Sequence, residues 1–567
     1  IPEDAFYQLY EMNLDGSGLK RLTRGKYDSF DGRYLPSGEI VFNSTRRGQY
    51  IQCGKNSGMA AAEGALPDSY VRCGGDEYRP VAVYTLHVMD ASGGNLRQIS
   101  AFENFEWTPS VDHQGRILYA RWDYVDRNAM PFMSLWSTMP DGTAPQALFG
   151  NYTRKPHAIF EARAIPNSRK IIFTASAHHS NTGGSLVLLD PNRGSDGEGP
   201  MTRLTPEVPF PEVEAWPKTY FVNPLPLSEE HYLVAWSDRP LERTGPPAEA
   251  ADIGIYLFDA FGNLNLIYRD PEISCMYPLP VRRRSVPPVL SSPVDWDGPE
   301  EARMLVLDVY QGLESISRGT IRSLRIVGVP AKNHPVMNAP VLGVTQDDPG
   351  KFVMGTVPVE ADGSAHFRVP SGVSFFLQVL DTEGMAVQTM RSATYLQPGQ
   401  QYTCVGCHEP RNTAPANVTP LAASREPSKI TPGVEGSWPL DFDMLVQPVM
   451  EQHCVRCHKP GTEGAAFDLT AGHLHQSLIY YGQPSLATRV MTRYRQGRST
   501  AGECVARTSP LVKLLKGGHY EVQLADDDWQ RLYTWLDTYG QRLGSFSEDQ
   551  ENRLRDLRRR MAAVLSE

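Results

Sequence analysis

The chain has 567 residues, 41% of them hydrophobic and 21% charged, with a net charge of −10 and a pI near 5.8. That length holds three or more domains with their own cores, and the composition is globular rather than disordered. The acidic balance excludes the basic face of a nucleic-acid binder, and apolar runs as short as LVLL at 186–189 exclude a membrane-spanning helix. The chain opens at Ile1 with no signal peptide in view, which reads as a mature form whose leader has been removed.

Residues 1–282 carry a degenerate repeat: a strand, an Asp- and Gly-bearing turn, a strand, then a second turn and strand pair. MNLDGSGLKRLT at 12–23 is followed by LPSGEIVFNSTR at 35–46, and VMDASGGNLRQIS at 88–100 by DHQGRILYARWD at 112–123. STMPDGTAPQALF at 137–149 is followed by IPNSRKIIFTAS at 165–176, and LVLLDPNRG at 186–194 by PLSEEHYLVAWSD at 226–238; IYLFDAFGNLNLIY at 255–268 is a fifth start. The strands alternate and the turns hold the residues that hairpins need. The Asp-containing turns lie about 50 to 75 residues apart, the spacing of four-stranded blades with inserted loops. The repeat resembles the β-propeller blades of the TolB and WD40-like kind; a repetitive β-sandwich is the alternative. Six blades are expected, with RMLVLDVY at 303–310 completing the sixth.

Residues 283–395 follow a Pro-rich linker (278–299) and read as a β-rich middle domain, a small sandwich built on TIRSLRIVGV, KFVMGTVPV, SAHFRVP and VSFFLQVLD. Residues 396–435 hold the motif CVGCHEP (404–410) and much of a second Pro-rich stretch, 409–440. From 436 to 567 the period becomes helical. In 441–454 one face carries Phe442, Leu445, Val446, Val449 and Met450, with Pro448 at a kink or in the first turn of a shorter helix. A second helix is expected over 526–540, capped by Asp526, and a charged terminal helix over 547–565. The predicted class is therefore multidomain and mostly β, ending in an α-helical, cytochrome c-like domain.

CVGCH at 404–408 is repeated as CVRCH at 454–458. Two cysteines three apart, with histidine next, suit covalent haem attachment: each thiol adds to a vinyl group and the histidine falls beneath the iron. Zinc binding by C-x2-C pairs and a thioredoxin-like site are the competing readings. Two copies favour two haem c groups, held by Cys404, Cys407 and His408 and by Cys454, Cys457 and His458. Haem c implies a periplasmic or extracellular location. For the second haem, His519, His473, His475 and Met491 are the candidates for the far side, His519 first because Gly517 and Gly518 let the backbone approach a flat group. For the first haem, His366, Met385, Met390, His157, His178 and His179 are candidates, beside an empty sixth position; this haem is expected where the sandwich, the propeller and the C-terminal domain meet. Cys53 and Cys73 flank a Gly-containing insertion and are the expected disulfide, whereas the pairing of Cys275 and Cys504 is open. A zinc or calcium ion in a loop is also left open.

The order of a propeller, a middle domain with VYQGLESISRGTIRSLRIV and DGSAHFRVP, then CVGCHEPR and a terminal CVRCH unit resembles the hydrazine synthase alpha subunit family across nearly the whole chain. The resemblance implies a catalytic first haem, a bis-histidine second haem acting as electron relay, and partner subunits. In that family a tyrosine four residues beyond the first motif histidine holds the catalytic haem, and the histidine meets zinc. Here that position is Asn412, so His408 is the expected ligand, and the departure counts against hydrazine synthesis. Two functions follow. One is a redox enzyme acting on a small nitrogen or oxygen compound at the first haem. The other is an electron-transfer cytochrome that docks a redox partner protein on its propeller. A haem-based sensor is a third, weaker reading.

Overall fold

The computed structural model describes residues 6–52, 82–241, 253–335, 339–407 and 417–566. Cys53 and Cys73 lie outside these residues. The chain divides into two compact units, the first formed by Ile1–Asp123, Ala129–Ser292 and Pro335–Met337, the second by Tyr124–Asn128, Pro293–His334 and Asn338–Glu567.

The first unit is a β-propeller-like array of four antiparallel meanders, the second and third joined into one eight-stranded sheet by the parallel pair Met133 and Ala158. Blade 1 comprises Ser29–Tyr34, Ile40–Tyr50, Ala82–Met89 and Arg97–Gln98. Blade 2 comprises Glu106–Val111, Ile117–Trp122, Met133–Thr138 and Gln146–Phe149, and blade 3 Ala158–Ala164, Ile171–Ser176, Ser185–Leu189 and Met201–Arg203. Blade 4 comprises Tyr220–Pro226, His231–Ser237, Ile253–Asp259 and Leu264–Tyr268, and a short hairpin pairs Tyr10–Glu11 with Lys20–Arg21. The turns form as their residues dictate. The Asp259 carboxylate accepts the N–H groups of Phe261 and Asn263, both at 3.0 Å, and Gly262 takes a φ of 94° that costs a glycine nothing.

The first strand of every blade carries a bulge, seen as a register shift between Phe30 and Arg33, Trp107 and Ser110, Phe160 and Arg163, and Val222 and Leu225. At each bulge a non-glycine residue is left-handed: Asp31 (φ 55°), Thr108 (49°), Glu161 (57°) and Asn223 (49°). Their side chains form a relay. The Asp31 carboxylate accepts the Thr108 N–H. Thr108 Oγ1 accepts the Glu161 N–H at 3.0 Å, and Glu161 Oε2 the Asn223 N–H at 2.6 Å. Asn223 Oδ1 accepts the N–H of Tyr277, itself at φ 55°, at 3.2 Å. A bulge leaves one N–H without a ladder partner, and here the preceding bulge's side chain satisfies it.

The strand expected to complete a sixth blade does not join this unit. Glu301–Val306 lies in the second unit, antiparallel to Ala365–Pro370 and parallel to Gln401–Cys404. Alternation identified the strand but not its partner.

In the second unit this three-stranded sheet faces a five-stranded one ordered Ala386–Thr389, Phe375–Leu380, Ser323–Gly328, Phe352–Pro358, Thr431–Pro432. Met304, Val306 and Phe367 from the first and Leu324, Ile326, Phe352 and Val379 from the second share one buried core, as in a sandwich. Helices follow. The 441–454 stretch breaks into Phe442–Leu445 and Gln447–His453, with Pro448 in the first turn of the second, where its missing N–H is harmless. Asp526–Asp537 is capped from Ala525 with Asp528 returning to its N–H, one residue before the expected cap. Glu548–Arg560 forms the terminal helix.

Candidate functional site

The second CxxCH motif continues out of the helix Gln447–His453. Cys454 N–H donates to Met450 O at 2.8 Å, and the N–H groups of Cys457 and His458 donate to Cys454 O at 3.1 and 3.0 Å. One further turn thus places residues 454, 457 and 458 on one side, as i, i+3 and i+4. Burial pushes the Cys454 thiol up to about 11.

His458 is oriented by its own loop. Its Nδ1 lies 3.3 Å from Gly464 O, so Nδ1 carries the proton and Nε2 keeps its lone pair for a metal. Gly464 is there for steric reasons: a Cβ would sit 2.4 Å from Cys457 O and 2.9 Å from His458 Nδ1. The edge of Phe467 meets the His458 ring at 5.8 Å, and Tyr481 packs on Phe467 at 5.3 Å. Val455, Phe467, Tyr481 and Leu524 are partly exposed apolar side chains against the helical core.

His519 stands next to His458. The ring centroids are 6.0 Å apart and the planes differ by 22°. Two imidazoles bonded on opposite sides of one metal ion, each at about 2.0–2.1 Å, have centroids about 6 Å apart. The backbone around His519 is unusual: Gly518 (φ 87°), Tyr520 (47°) and Glu521 (62°) are all left-handed. Met491 is half-buried in the helix Leu486–Gln496, and the two other histidines are used elsewhere. His475 Nε2 donates to Gly540 O at 3.0 Å and its ring packs on Phe442 and Trp535. His473 is largely exposed, 3.2 Å from Asp468.

At the first motif, Cys404 ends its strand beside Val306, and Cys407 N–H donates to Gln311 O at 3.1 Å. Gly406 has no room for a side chain, since a Cβ would lie 2.3 Å from Gln311 Cβ and 2.9 Å from Asp308 O. His408 and Asn412 lie outside the described residues. His366 pairs with Leu305 while Cys404 pairs with Val306, so alternation puts the two side chains on opposite faces of the sheet. Met385 is buried in the helical core, and Met390 Sδ accepts the Leu377 N–H at 3.3 Å. His157, His178 and His179 gather around Glu212 in the first unit. Cys275 and Cys504 are free thiols, the second buried and pushed up to about 12.

Gly464, Phe467 and Glu212 were not singled out from sequence. Gly464 had one legible signal, its place in the Gly-rich loop KPGTEGAAF directly after the motif. Glu212 had none.

Comparison with known proteins agrees with this architecture. The family model of the hydrazine synthase alpha subunit middle domain matches residues 319–409. Hydrazine synthase subunit alpha of Kuenenia stuttgartiensis is 23% identical over 491 residues, covering 71% of this chain. The chain spans 56% of the length of that curated relative. The solved Kuenenia stuttgartiensis hydrazine synthase matches with a TM-score of 0.69 at 17% identity, over 95% of this chain and 85% of the matched one. In the sequence of its middle domain and in its fold, the chain is hydrazine synthase alpha-like.

Proposed function

We propose that this chain is a periplasmic diheme c-type redox protein. Cys454 and Cys457 would hold one haem through thioethers, with His458 and His519 as axial ligands to its iron; Cys404, Cys407 and His408 would hold the other. The observation that carries this reading is the His458–His519 pair, 6.0 Å apart and nearly parallel beside a CxxCH turn. When bound, such groups supply one-electron transfer at iron. The chain's own part is positional. The Gly464 carbonyl keeps the proton on His458 Nδ1, Phe467 packs against the ring, and the His519 imidazole stands 6.0 Å from that of His458.

The function that fits best is redox chemistry on a small nitrogen- or oxygen-containing compound at the first haem, with the second as relay. The matched relative is one subunit of an enzyme, which supports other subunits or a redox protein as partners. Among the described residues no helix is long and apolar enough to cross a membrane. Asn412, where related chains are expected to carry a tyrosine ligand, favours a second reading: an electron-transfer cytochrome with both irons six-coordinate.

Electron paramagnetic resonance of the oxidised protein, with optical spectra before and after nitric oxide or cyanide, tests both. Two haems per chain are expected, one low-spin and indifferent to ligand, and His519→Ala should make that one ligand-sensitive. A second, high-spin signal that shifts on ligand addition supports the enzyme. Two low-spin signals indifferent to ligand support the carrier. Absence of covalent haem, or a His519→Ala spectrum identical to wild type, overturns the assignment.

A further inference from the structure

Away from both CxxCH motifs, the first unit holds a cluster of side chains of the metal-ligand type. His178 and His179 follow the strand Ile171–Ser176, and Glu212 lies in the turn that leads to blade 4. The Glu212 backbone is left-handed (φ 65°), a costly conformation for a glutamate. Its Oε2 accepts the backbone N–H groups of His178 and His179 at 2.8 and 3.0 Å, which locks the carboxylate in place. Its Oε1 lies 2.6 Å from His179 Nδ1, and His179 Nδ1 lies 3.2 Å from His178 Nδ1. His157 Nδ1 stands 3.5 Å from Glu212 Oε2.

A neutral imidazole has one N–H and one lone pair. If His179 Nδ1 gives its proton to Glu212, His178 Nδ1 has no proton of its own to offer across 3.2 Å without meeting that N–H, so it presents a lone pair. One proton then serves three inward-facing donor atoms. A cation at their centre would serve all three at once.

The dimensions suit a metal. Ligands at about 2.0–2.1 Å from a tetrahedral ion are about 3.3 Å apart along each edge. The two Nδ1 atoms already stand at 3.2 Å, and the three ligand atoms all lie within 4.8 Å of one another. The site is enclosed but reachable. His178 is buried, with the edge of Trp122 at 5.2 Å, while the His179 and Glu212 side chains keep 19% and 12% exposure. Two imidazoles and one carboxylate are borderline donors, suited to zinc-like transition metals rather than to calcium or magnesium. Three protein ligands with a fourth place for water or His157 is the open kind of site, not the closed structural kind.

We infer that His178, His179 and Glu212 form a divalent transition-metal site of zinc type in the propeller-like unit, with His157 at its margin. The site is independent of haem, so the proposal stands or falls apart from the redox reading.

The test uses the full-length, haem-loaded protein, stripped of loose metal and titrated with Zn2+. Zinc bound per chain is read by elemental analysis after dialysis, and thermal stability is read alongside. Wild type should retain one more zinc per chain than the His178→Ala/His179→Ala variant and should gain thermal stability on zinc addition. Glu212→Gln, which keeps an oxygen for the two backbone N–H groups, should fold like wild type and bind zinc at least tenfold more weakly. Equal zinc content in wild type and Glu212→Gln overturns the proposal, as does a zinc-induced stabilisation that survives in Glu212→Gln. So does wild type that retains no zinc.

Discussion

Gly464 shows how much of a binding site can rest on the lack of one carbon. Its carbonyl holds the proton of His458, and its missing Cβ lets the loop lie against Cys457. Gly464→Ala must push the loop off, because the first obstacle, 2.4 Å from the added Cβ, is a backbone oxygen. Haem content at the second motif should fall well below that at the first, measured by haem-stained gel of Cys404→Ala and Cys454→Ala backgrounds. Full loading in the Gly464→Ala chain would contradict this account. At this scale the sequence was legible where spacing carries the chemistry. Cys454, Cys457 and His458 follow from their order, and His519 followed from the two glycines before it. His178 and His179 were legible as histidines but were considered as haem candidates. Their partner Glu212 lies 34 and 33 residues on, respectively, and its contribution depends on a backbone conformation that residue identity does not announce.

Among the strands, the first unit is organised by its bulges. Glu161 is the clearest case: its carboxylate accepts the Asn223 backbone and side-chain N–H groups and the Thr174 hydroxyl in a buried setting. Glu161→Ala leaves these three donors without an acceptor and should cost about 3 kcal/mol or more, at roughly 1–3 kcal/mol for each buried group left unmade. Glu161→Gln keeps an acceptor oxygen and should cost about half as much or less. Urea denaturation followed by tryptophan fluorescence reads both, and equal midpoints for wild type and Glu161→Ala would refute the relay's importance. The blades were legible because alternation and the Asp–Gly turns are local signals. Pro448 was equally legible as a constraint on helix placement. The strand Glu301–Val306 was legible as a strand yet assigned to the wrong sheet, since period-2 alternation fixes which face is buried but not which neighbour covers it.

On the scale of the molecule, stability should depend on pH in a direction set by buried acids in the second unit. Burial pushes Asp348 up to about 7, with Asp126 and Asp347 adding to the rise and Lys351 opposing it. Burial likewise lifts Asp537 to about 6 against the pull of Arg325. A carboxyl raised in the fold holds a proton that the unfolded chain has lost. Their contribution is therefore fully present below about pH 4, the ordinary carboxylate range, and is lost as pH rises toward 7. Asp348→Asn cannot ionise and keeps an oxygen to accept the Thr345 N–H. Its melting temperature relative to wild type should rise between pH 5 and pH 8; parallel curves would show that Asp348 does not titrate in this window.

The bulge relay has a consequence for how such a chain can grow. Each repeat brings one orphan amide and one side chain able to satisfy the amide of the repeat that follows. A tandem duplication of one whole blade therefore adds a supply and a demand in equal measure. Point changes can break the relay where whole-unit copying preserves it, so the row of bulges favours evolution by duplication over drift within a blade.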